Sequence, residues 1–301
     1  MLTDEQVARF RRDGFLLLAG AIQTSELARL QRASARIVEA AVAFGRDLDR
    51  QRPIPTGVHD IPVDMAVYRD PGYLYAADGD GRRVFRRAEW LWQDDPVFAL
   101  TTANPTILNA VWQLLETPFA PTTESLVVKL PEAGAAVPWH RDVELAAIQA
   151  GGGDPCHDFT IDIYLDPSTP DNGCLWAIPG SHLGLPESVE PNDWGRTDAV
   201  LVPLEPGDVL VHATGLLHGS PPNLSSDTRR TFYIHYRGPS GLSAPSTQRS
   251  IRVARECEPQ QWAERQVAFL AEAIDARESA GFADPERYAG PVEVPALLPA
   301  S

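Results

Sequence analysis

The sequence feature that most constrains the fold is a series of short apolar runs in the middle of the chain. They cover residues 124–130, 159–165, 174–179, 200–204 together with 208–212, and 230–237. Between them lie the sequences Pro-Glu-Ala-Gly, Gly-Gly-Gly-Asp, Pro-Asp-Asn-Gly and Glu-Pro-Gly-Asp, whose residues favour turns. Many short strands joined by such turns are typical of a barrel or a sandwich. The sequence therefore predicts a mainly β fold.

Helical periodicity flanks this β-rich part on both sides. Thr3 and Gln6 have the spacing of a capping box, which predicts a helix from about Asp4 to Asp13, and Gly14 is suited to end it. A short apolar run follows at 15–18. Further helices are expected from Thr24 to near Asp47, as two shorter helices over 90–115 with a break at Asn104-Pro105, and over 261–276.

We expect the 301 residues to form one domain, since barrels with helical additions reach this length. Its parts would be a mainly helical segment over about 1–120, a barrel core over about 121–240, and a helix and Pro-rich tail over about 241–301. Residues 52–80 are rich in Pro, Gly and Asp without clear periodicity, which indicates a long loop.

Composition excludes several classes of partner. The chain has 41 acidic and 26 basic residues, and its net charge of -15 would repel nucleic acids and anionic membranes. We see no export signal and no membrane span. Three cysteines without a C-x-x-C pair favour a reducing cytoplasm. A small-molecule substrate is the expected partner, and the oligomeric state stays open.

The first chemical motif is His140-Arg141-Asp142. Residues i and i+2 of an extended strand point to the same face, so a nitrogen ligand and an anionic oxygen ligand could reach one ion. A second histidine from a distant strand would complete a facial triad, which leaves three positions open, as non-haem iron(II) oxygenases require. The alternative is a structural hydrogen-bonded pair.

The second motif is His218-Gly219-Ser220-Pro221-Pro222-Asn223, followed by Ser225 and by Arg229-Arg230. With this motif the chain resembles the phytanoyl-CoA dioxygenase family of iron(II)/2-oxoglutarate oxygenases. The matching stretches are Asp13-Gly14-Phe15, His140-Arg141-Asp142, the segments 171–176 and 179–182, Pro206-Gly207-Asp208, and 218–229.

The resemblance implies a double-stranded β-helix, that is, a jelly-roll or cupin-like barrel with flanking helices. It implies Fe(II) as the metal, 2-oxoglutarate and O₂ as co-substrates, and His140, Asp142 and His218 as the metal ligands. Arg229 would bind the far carboxylate of 2-oxoglutarate, because a guanidinium pairs bidentately with a carboxylate, and Ser220 would touch the same group. Arg230 is the rival of Arg229, since neighbouring strand residues face opposite ways.

Other residues carry open alternatives. His212 could replace His218 as a ligand, but we expect it in the core or beside the ligands, and we expect His182 to fix a loop. Trp139, Tyr164 and Trp176 either line a substrate pocket or belong to the core. Candidate lid segments are 52–80, 143–158 and 187–198.

The expected reaction is hydroxylation of a C-H bond in a small metabolite, with release of succinate and CO₂. Desaturation, epoxidation or oxidative ring formation would use the same cofactors. Halogenases of the family carry a small residue at the carboxylate position, so Asp142 disfavours halogenation. The acidic chain also gives little support to a CoA thioester substrate. Alternatives of another class are a cupin-like metal-dependent isomerase or hydrolase and a non-catalytic ligand-binding barrel.

Overall fold

The computed structural model describes residues 1–46, 65–68, 72–77, 83–132, 134, 136–145, 148, 154, 156, 158–186, 189–243 and 258–297. The strands are β1 Phe15–Leu18, β2 Met65–Tyr68, β3 Tyr73–Ala77, β4 Arg83–Glu89, β5 Ala120–Lys129, β6 Val137–His140, β7 Asp158–Tyr164, β8 Leu175–Ala177, β9 Val200–Val202, β10 Val209–Ala213, β11 His218–Ser220 and β12 Arg229–Arg237. The helices are α1 Asp4–Asp13, α2 Thr24–Gly45, α3 Leu91–Asp94, α4 Pro96–Thr102, α5 Pro105–Leu115, α6 Pro239–Ser243 and α7 Pro259–Ser279.

Two antiparallel sheets form the β part. The larger has eight strands in the order β1-β10-β7-β12-β5-β4-β3-β2, and the smaller has four in the order β6-β11-β8-β9. Tyr164 and Leu210 of the larger sheet pack against Leu175 and Ala177 of the smaller one. The sheets therefore face each other, as expected of a double-stranded β-helix.

Side chains of the larger sheet alternate between a helical face and an inner face, as the pleat requires. On β12, Phe232 and Ile234 belong to the main core, which they share with α2, α4 and α5. On the opposite face of β12, Arg229, Tyr233 and His235 line a cavity between the sheets. The large core on one side of the sheet thus supports a polar site on the other.

The first helix forms as the sequence predicts. Thr3 accepts a hydrogen bond from the backbone N-H of Gln6 at 3.2 Å, and the Gln6 side chain accepts one from the N-H of Thr3 at 2.9 Å. Gly14 ends the helix with φ 82°, and its N-H donates to the carbonyl of Phe10. The left-handed conformation is one that glycine adopts at little cost.

The prediction of a loop over 52–80 is wrong for two stretches. Residues 65–68 and 73–77 are the strands β2 and β3, and they pair with each other and with β4, a strand that the sequence did not indicate. These strands are short and lack strict alternation, so their pairing depends on partners that periodicity does not show. The other residues of 52–80, apart from Gly72, lie outside the described residues.

The prediction of two helices over 90–115 is also wrong, because three are present. The break at Asn104 is confirmed, since its side chain caps α5. A second break occurs at Asp95, whose carboxylate accepts from the N-H of Val97 at 2.9 Å ahead of α4. Asp95-Pro96 is a start signal of the same kind as Asn104-Pro105.

The other predicted elements are present in the structure. All five apolar runs contain strands, and the helices predicted after Thr24 and over 261–276 are α2 and α7. Cys156 and Cys174 are free thiols, and Cys257 lies outside the described residues. Within the described part of the chain, no helix combines the length and the apolar character needed to cross a bilayer.

Candidate metal centre

His140, Asp142 and His218 lie close together in the wall of the cavity. His140 ends β6 and His218 begins β11, and the two are register partners in the antiparallel pair. Asp142 lies just beyond β6 rather than on it, and its Oδ1 is 3.6 Å from Nε2 of His140 and 3.9 Å from Nε2 of His218. One donor atom from each residue lies within 4.8 Å of the others. The set has the composition of a facial triad.

Both histidines are oriented by backbone carbonyls. Nδ1 of His140 is 2.8 Å from the carbonyl of Pro138, and Nδ1 of His218 is 3.0 Å from that of Leu216. A carbonyl can only accept, so each Nδ1 carries the proton and each Nε2 presents its lone pair. Hydrogen bonding of the second ring nitrogen is the usual way in which a ligand histidine is fixed.

Asp142 is held by the hydroxyl of Thr160, which donates to Oδ2 and leaves Oδ1 toward the histidines. Burial disfavours the charged carboxylate, but His140 and the neighbouring His218 hold the pKa of Asp142 well below its usual range. Burial, reinforced by His140, lowers the pKa of His218 well below its ordinary value. An ionised carboxylate and a neutral imidazole are the forms that bind metal.

His212 occupies a different position from the three donors. It is fully buried on β10, and its Nε2 is 3.3 Å from Oδ1 of Asp162 and 4.0 Å from Oδ2 of Asp142. Burial opposes the imidazolium, yet the Asp162 carboxylate outweighs it and raises the pKa of His212 to about 9. His212 therefore forms a buried pair with Asp162 beside the donor cluster, where the sequence placed it.

The two neighbouring arginines of β12 face opposite ways. Arg229 is 2% exposed and lines the cavity; its Nη1 donates to the carbonyl of Gly173, and its Nε has no hydrogen-bond partner among the described residues. Arg230 points to the helical side, where it pairs with Asp166 at 2.6 Å and donates to the carbonyl of Gln31. Of these two arginines, Arg229 is the one that lines the cavity.

Two further polar groups lie near Arg229. Ser220, the last residue of β11, lines the cavity and is buried. Lys129 is the register partner of Arg229 on β5 and is 2% exposed. Its Nζ donates to the carbonyls of Ser220, at 3.1 Å, and Pro221. Burial, with the nearby charge of Arg229, lowers the pKa of Lys129 to about 5.

Sequence reasoning missed several cavity residues. His235 had no assigned role, yet its Nδ1 lies 3.2 Å from the Thr160 hydroxyl, and burial lowers its pKa to about 3. Tyr233 lines the same wall. The alternation of side chains along β12 could have identified both residues, because positions 229, 233 and 235 lie on the same face of a strand. Arg86 and Arg87 of β4 also line the cavity, but β4 itself was not predicted.

Other candidate residues lie away from the cavity. Trp139 and Trp176 belong to an apolar cluster with Trp194, and Tyr164 belongs to the core between the sheets. His182 lies in a 3-10 turn, with Nε2 3.3 Å from the carbonyl of Arg11, and so fixes a loop as expected. Of the three lid candidates, 52–80 and 143–158 lie mostly outside the described residues. In the third, 187–198, residues 187 and 188 lie outside them.

Comparison with known proteins decides the family. Residues 10–231 match the sequence pattern of the family described as Phytanoyl-CoA dioxygenase (PhyH). This chain belongs to the PhyH family. The family consists of Fe(II)/2-oxoglutarate-dependent oxygenases, so this PhyH protein is an enzyme of that class and uses these cofactors. The cupin-like isomerase or hydrolase and the non-catalytic barrel are thereby disfavoured.

Individual relatives are similar over most of this PhyH chain. Phytanoyl-CoA dioxygenase domain-containing protein 1 of Danio rerio is 26% identical over 270 residues, covering 78% of this chain and 90% of the relative. L-proline trans-4-hydroxylase of Streptomyces griseoviridis is 26% identical over 259 residues, covering 75% and 96%. The crystal structure of EctD from S. alaskensis with 2-oxoglutarate and 5-hydroxyectoine has a TM-score of 0.58 at 22% identity, covering 79% and 77%, and confirms the fold.

Proposed function

We propose that this PhyH protein hydroxylates a C-H bond of a small metabolite and releases succinate and CO₂. In this proposal His140, Asp142 and His218 bind iron(II), and Arg229 and Ser220 bind 2-oxoglutarate. The observation that carries it is the presence of both sets of groups in one cavity of about 280 Å³ between the sheets.

The donor atoms fit a divalent metal of the iron type. Two imidazole nitrogens and one carboxylate oxygen are grouped together, with Oδ1 of Asp142 at 3.6 and 3.9 Å from the Nε2 atoms of His140 and His218. Iron bound there would supply the activation of O₂. The protein's own contribution is orientation: Pro138, Leu216 and Thr160 fix the three ligands before the metal arrives.

Arg229 supports the assignment of the co-substrate site. A buried guanidinium whose Nε lacks a partner among the described residues is a costly arrangement unless an anion completes it. The far carboxylate of 2-oxoglutarate would supply that anion, with the two oxygens matched to the planar guanidinium. Ser220 lies two residues after His218, so the metal side and the carboxylate side are connected by one short strand.

Asp142 and the cavity size support hydroxylation of a small molecule. The carboxylate of Asp142 occupies the place that a halogenase would leave to a halide, so halogenation is disfavoured. The cavity lies near the lower end of the range for small-molecule sites, roughly 300–1,000 Å³. The related L-proline trans-4-hydroxylase acts, by its name, on a small amino acid. Desaturation, epoxidation or ring formation at the same centre is the runner-up.

The decisive experiment measures succinate from 2-oxoglutarate in the presence of iron(II) and O₂. Wild type should release succinate and, without oxygen, form the visible metal-to-ligand charge-transfer band of an iron(II)/2-oxoglutarate complex. His140→Ala should lose both signals, because a nitrogen ligand is removed that no small ion replaces. Asp198→Ala is the control for an alanine substitution away from the cavity, because Asp198 lies on the surface in a pair with Arg196. If His140→Ala kept iron affinity and turnover, the ligand assignment would be wrong.

The identity of the product distinguishes the runner-up. Once a substrate is found, a mass increase of one oxygen atom, labelled from ¹⁸O₂, supports hydroxylation if a C-H bond has been replaced, and epoxidation if a C=C bond has been lost. Loss of two hydrogen atoms without added oxygen would contradict hydroxylation and support desaturation or ring formation.

A further inference from the structure

A β-bulge in β4 directs two neighbouring arginines into the cavity. Between β3 and β4 the register shifts, so that Leu74 pairs with Arg87 while the next residue, Tyr75, pairs with Phe85. Arg86 is therefore an extra residue on β4, and both Arg86 and Arg87 line the cavity. Without the bulge, strict alternation would send one of them to the opposite face.

The residues on either side of the bulge return to normal alternation. Phe85 and Ala88 are buried in the main core on the helical side. Across the strand pair, Arg87 is opposite Val127 of β5, which also lines the cavity. Because bulges commonly occur next to active sites, where they redirect side chains, this one suggests a use for the two cations.

The two arginines differ in how far they are already engaged. Nη2 of Arg86 donates to the carbonyl of Ala136 at 2.7 Å. Arg87 is half-buried, with 34% of its side chain exposed, and its Nε lies 3.3 Å from Oε1 of Glu89 without meeting hydrogen-bond geometry. Among the described residues, no group accepts a hydrogen bond from the terminal nitrogens of Arg87. The terminal N-H groups of Arg87 are therefore available to donate hydrogen bonds to a ligand.

The charged groups of the cavity that already have a role indicate what the donors of Arg87 would bind. Under the proposed function, the two carboxylates of 2-oxoglutarate are taken up by the metal and Arg229, and Asp142 is a metal ligand. Burial raises the pKa of Tyr233 and lowers that of His235 to about 3, so both side chains are neutral at pH 7. Of the charged side chains in the described cavity lining, Arg86 and Arg87 are the two to which the proposed function gives no role.

Glu89 lies beside Arg87, is 8% exposed and pairs with it. Among the described residues, Asp142 is the one Asp or Glu in the cavity lining, and it is a proposed metal ligand. A half-buried guanidinium whose terminal nitrogens donate no hydrogen bond among the described residues is stabilised when an oxyanion binds next to it.

We propose that the substrate of this enzyme carries an oxyanion group, a carboxylate or a phosphonate, and that Arg87 binds it with support from the charge of Arg86. This inference rests on the proposed function and names the substrate class of the same site. Arg87 would fix the anionic end of the substrate on the β4 wall and so determine which carbon faces the metal. Arg87 is thus a specificity-determining residue, separate from the co-substrate arginine, Arg229.

The test uses the anaerobic iron(II)/2-oxoglutarate complex and pairs of probe compounds. Each pair consists of an amino acid, hydroxy acid or alkylphosphonate of about ten non-hydrogen atoms or fewer and its neutral amide or ester. Acids that bind should shift the charge-transfer band and stimulate succinate release after O₂ is admitted, and their neutral partners should not. The carboxylate and phosphonate arms show which oxyanion the site prefers.

Variants assign the effect to Arg87. In Arg87→Gln the dissociation constant of a responding acid should rise about 10- to 100-fold, the usual loss for a hydrogen bond to a charged group. Arg87→Lys should recover part of this, since it keeps the charge but not the planar donor geometry. Arg83→Gln is the matched control on the same strand, where Arg83 is exposed. The charge-transfer band with 2-oxoglutarate alone shows that each variant is folded.

Three outcomes would overturn the inference. Neutral partners that respond as well as acids would exclude an anionic substrate, as would the absence of any response from every acid while the band itself forms. An acid response that is equal in wild type and Arg87→Gln would exclude Arg87. Weakened 2-oxoglutarate binding in Arg87→Gln would assign Arg87 to the co-substrate instead. Failure of wild type to form the band at all would instead refute the proposed function.

Discussion

His140 and His218 are direct cross-strand partners, and their ring centroids lie 4.3 Å apart. The antiparallel pairing of β6 with β11 thereby brings together two residues that are 78 positions apart in the sequence (218 − 140). Directly opposed residues on one face of such a pair have Cβ atoms about 4.5–5.5 Å apart, so their side chains can reach a common ion. Register, rather than loop conformation, sets the separation of the two nitrogen ligands.

Two substitutions test whether His218 or His212 is the second nitrogen ligand. His218→Ala should abolish iron binding, because one nitrogen donor is lost. His212→Gln should retain iron binding but lower the free energy of unfolding by about 3–5 kcal/mol, since Asp162 would stay buried without its partner. Iron titration and chemical denaturation measure the two effects. Loss of iron binding in His212→Gln with unchanged stability would reverse the assignment.

Thr160 is expected to position Asp142 for the metal. Removing its hydroxyl in Thr160→Val should weaken iron affinity about 10- to 100-fold, the usual effect of losing a group that orients a ligand. Thr231→Val is the matched control, because Thr231 is buried on the same sheet and its hydroxyl has no partner among the described residues. Competition with a chromophoric chelator measures the affinity. Equal losses in both variants would point to a general packing effect.

The opposite orientations of Arg229 and Arg230 predict opposite phenotypes. Arg229→Lys should weaken 2-oxoglutarate binding about 10- to 100-fold with little change in stability, because the bidentate geometry is lost. Arg230→Lys should leave 2-oxoglutarate affinity unchanged and lower the free energy of unfolding by about 1–2 kcal/mol through its pair with Asp166. Titration of the charge-transfer band and denaturation separate the two. The reverse pattern would make Arg230 the co-substrate residue.

Gly14 is expected to be important for stability, because it lets the end of α1 pack closely against the turn that contains His182. A Cβ at Gly14 would overlap Nδ1 of His182, and φ is 82° there. Gly14→Ala should therefore cost about 2–5 kcal/mol, combining left-handed strain with overpacking. Gly20→Ala has the strain without the overlap, since φ is 59° with open space around it, and should cost about 1–2 kcal/mol. Equal losses would show that His182 moves aside freely.

The lowered pKa of Lys129 should make the stability of the metal-free protein depend on pH. Its pKa is about 5 in the fold and about 10.4 in the unfolded chain, so between these values the unfolded state holds a proton that the folded state lacks. The stability of wild type should accordingly rise with pH relative to Lys129→Met, by about 1.4 kcal/mol per unit between pH 6 and 9. Denaturation curves of both proteins measure this. Parallel pH profiles would mean that Lys129 stays charged in the fold.

Most helices, the apolar strands and the motifs of the candidate metal ligands could be predicted from short stretches of sequence. The capping box of Thr3, the turn sequences between the apolar runs, and the motifs around His140 and His218 each depend on neighbouring residues, so they are readable along the chain. The resemblance carried by those motifs gave the family and the fold, which are confirmed. The roles of the individual site residues and the single-domain organisation stay predictions.

Features that depend on pairing between distant strands could not be predicted from short stretches of sequence. Which arginine of Arg229-Arg230 faces the cavity follows from the position of β12 between β5 and β7. The use of His235 and Thr160 beside Asp142 follows from register across β7 and β12. The bulge that directs Arg86 and Arg87 inward exists only in the pairing of β4 with β3. Such contacts have no local periodicity, because a one-residue change in register exchanges the two faces of a strand.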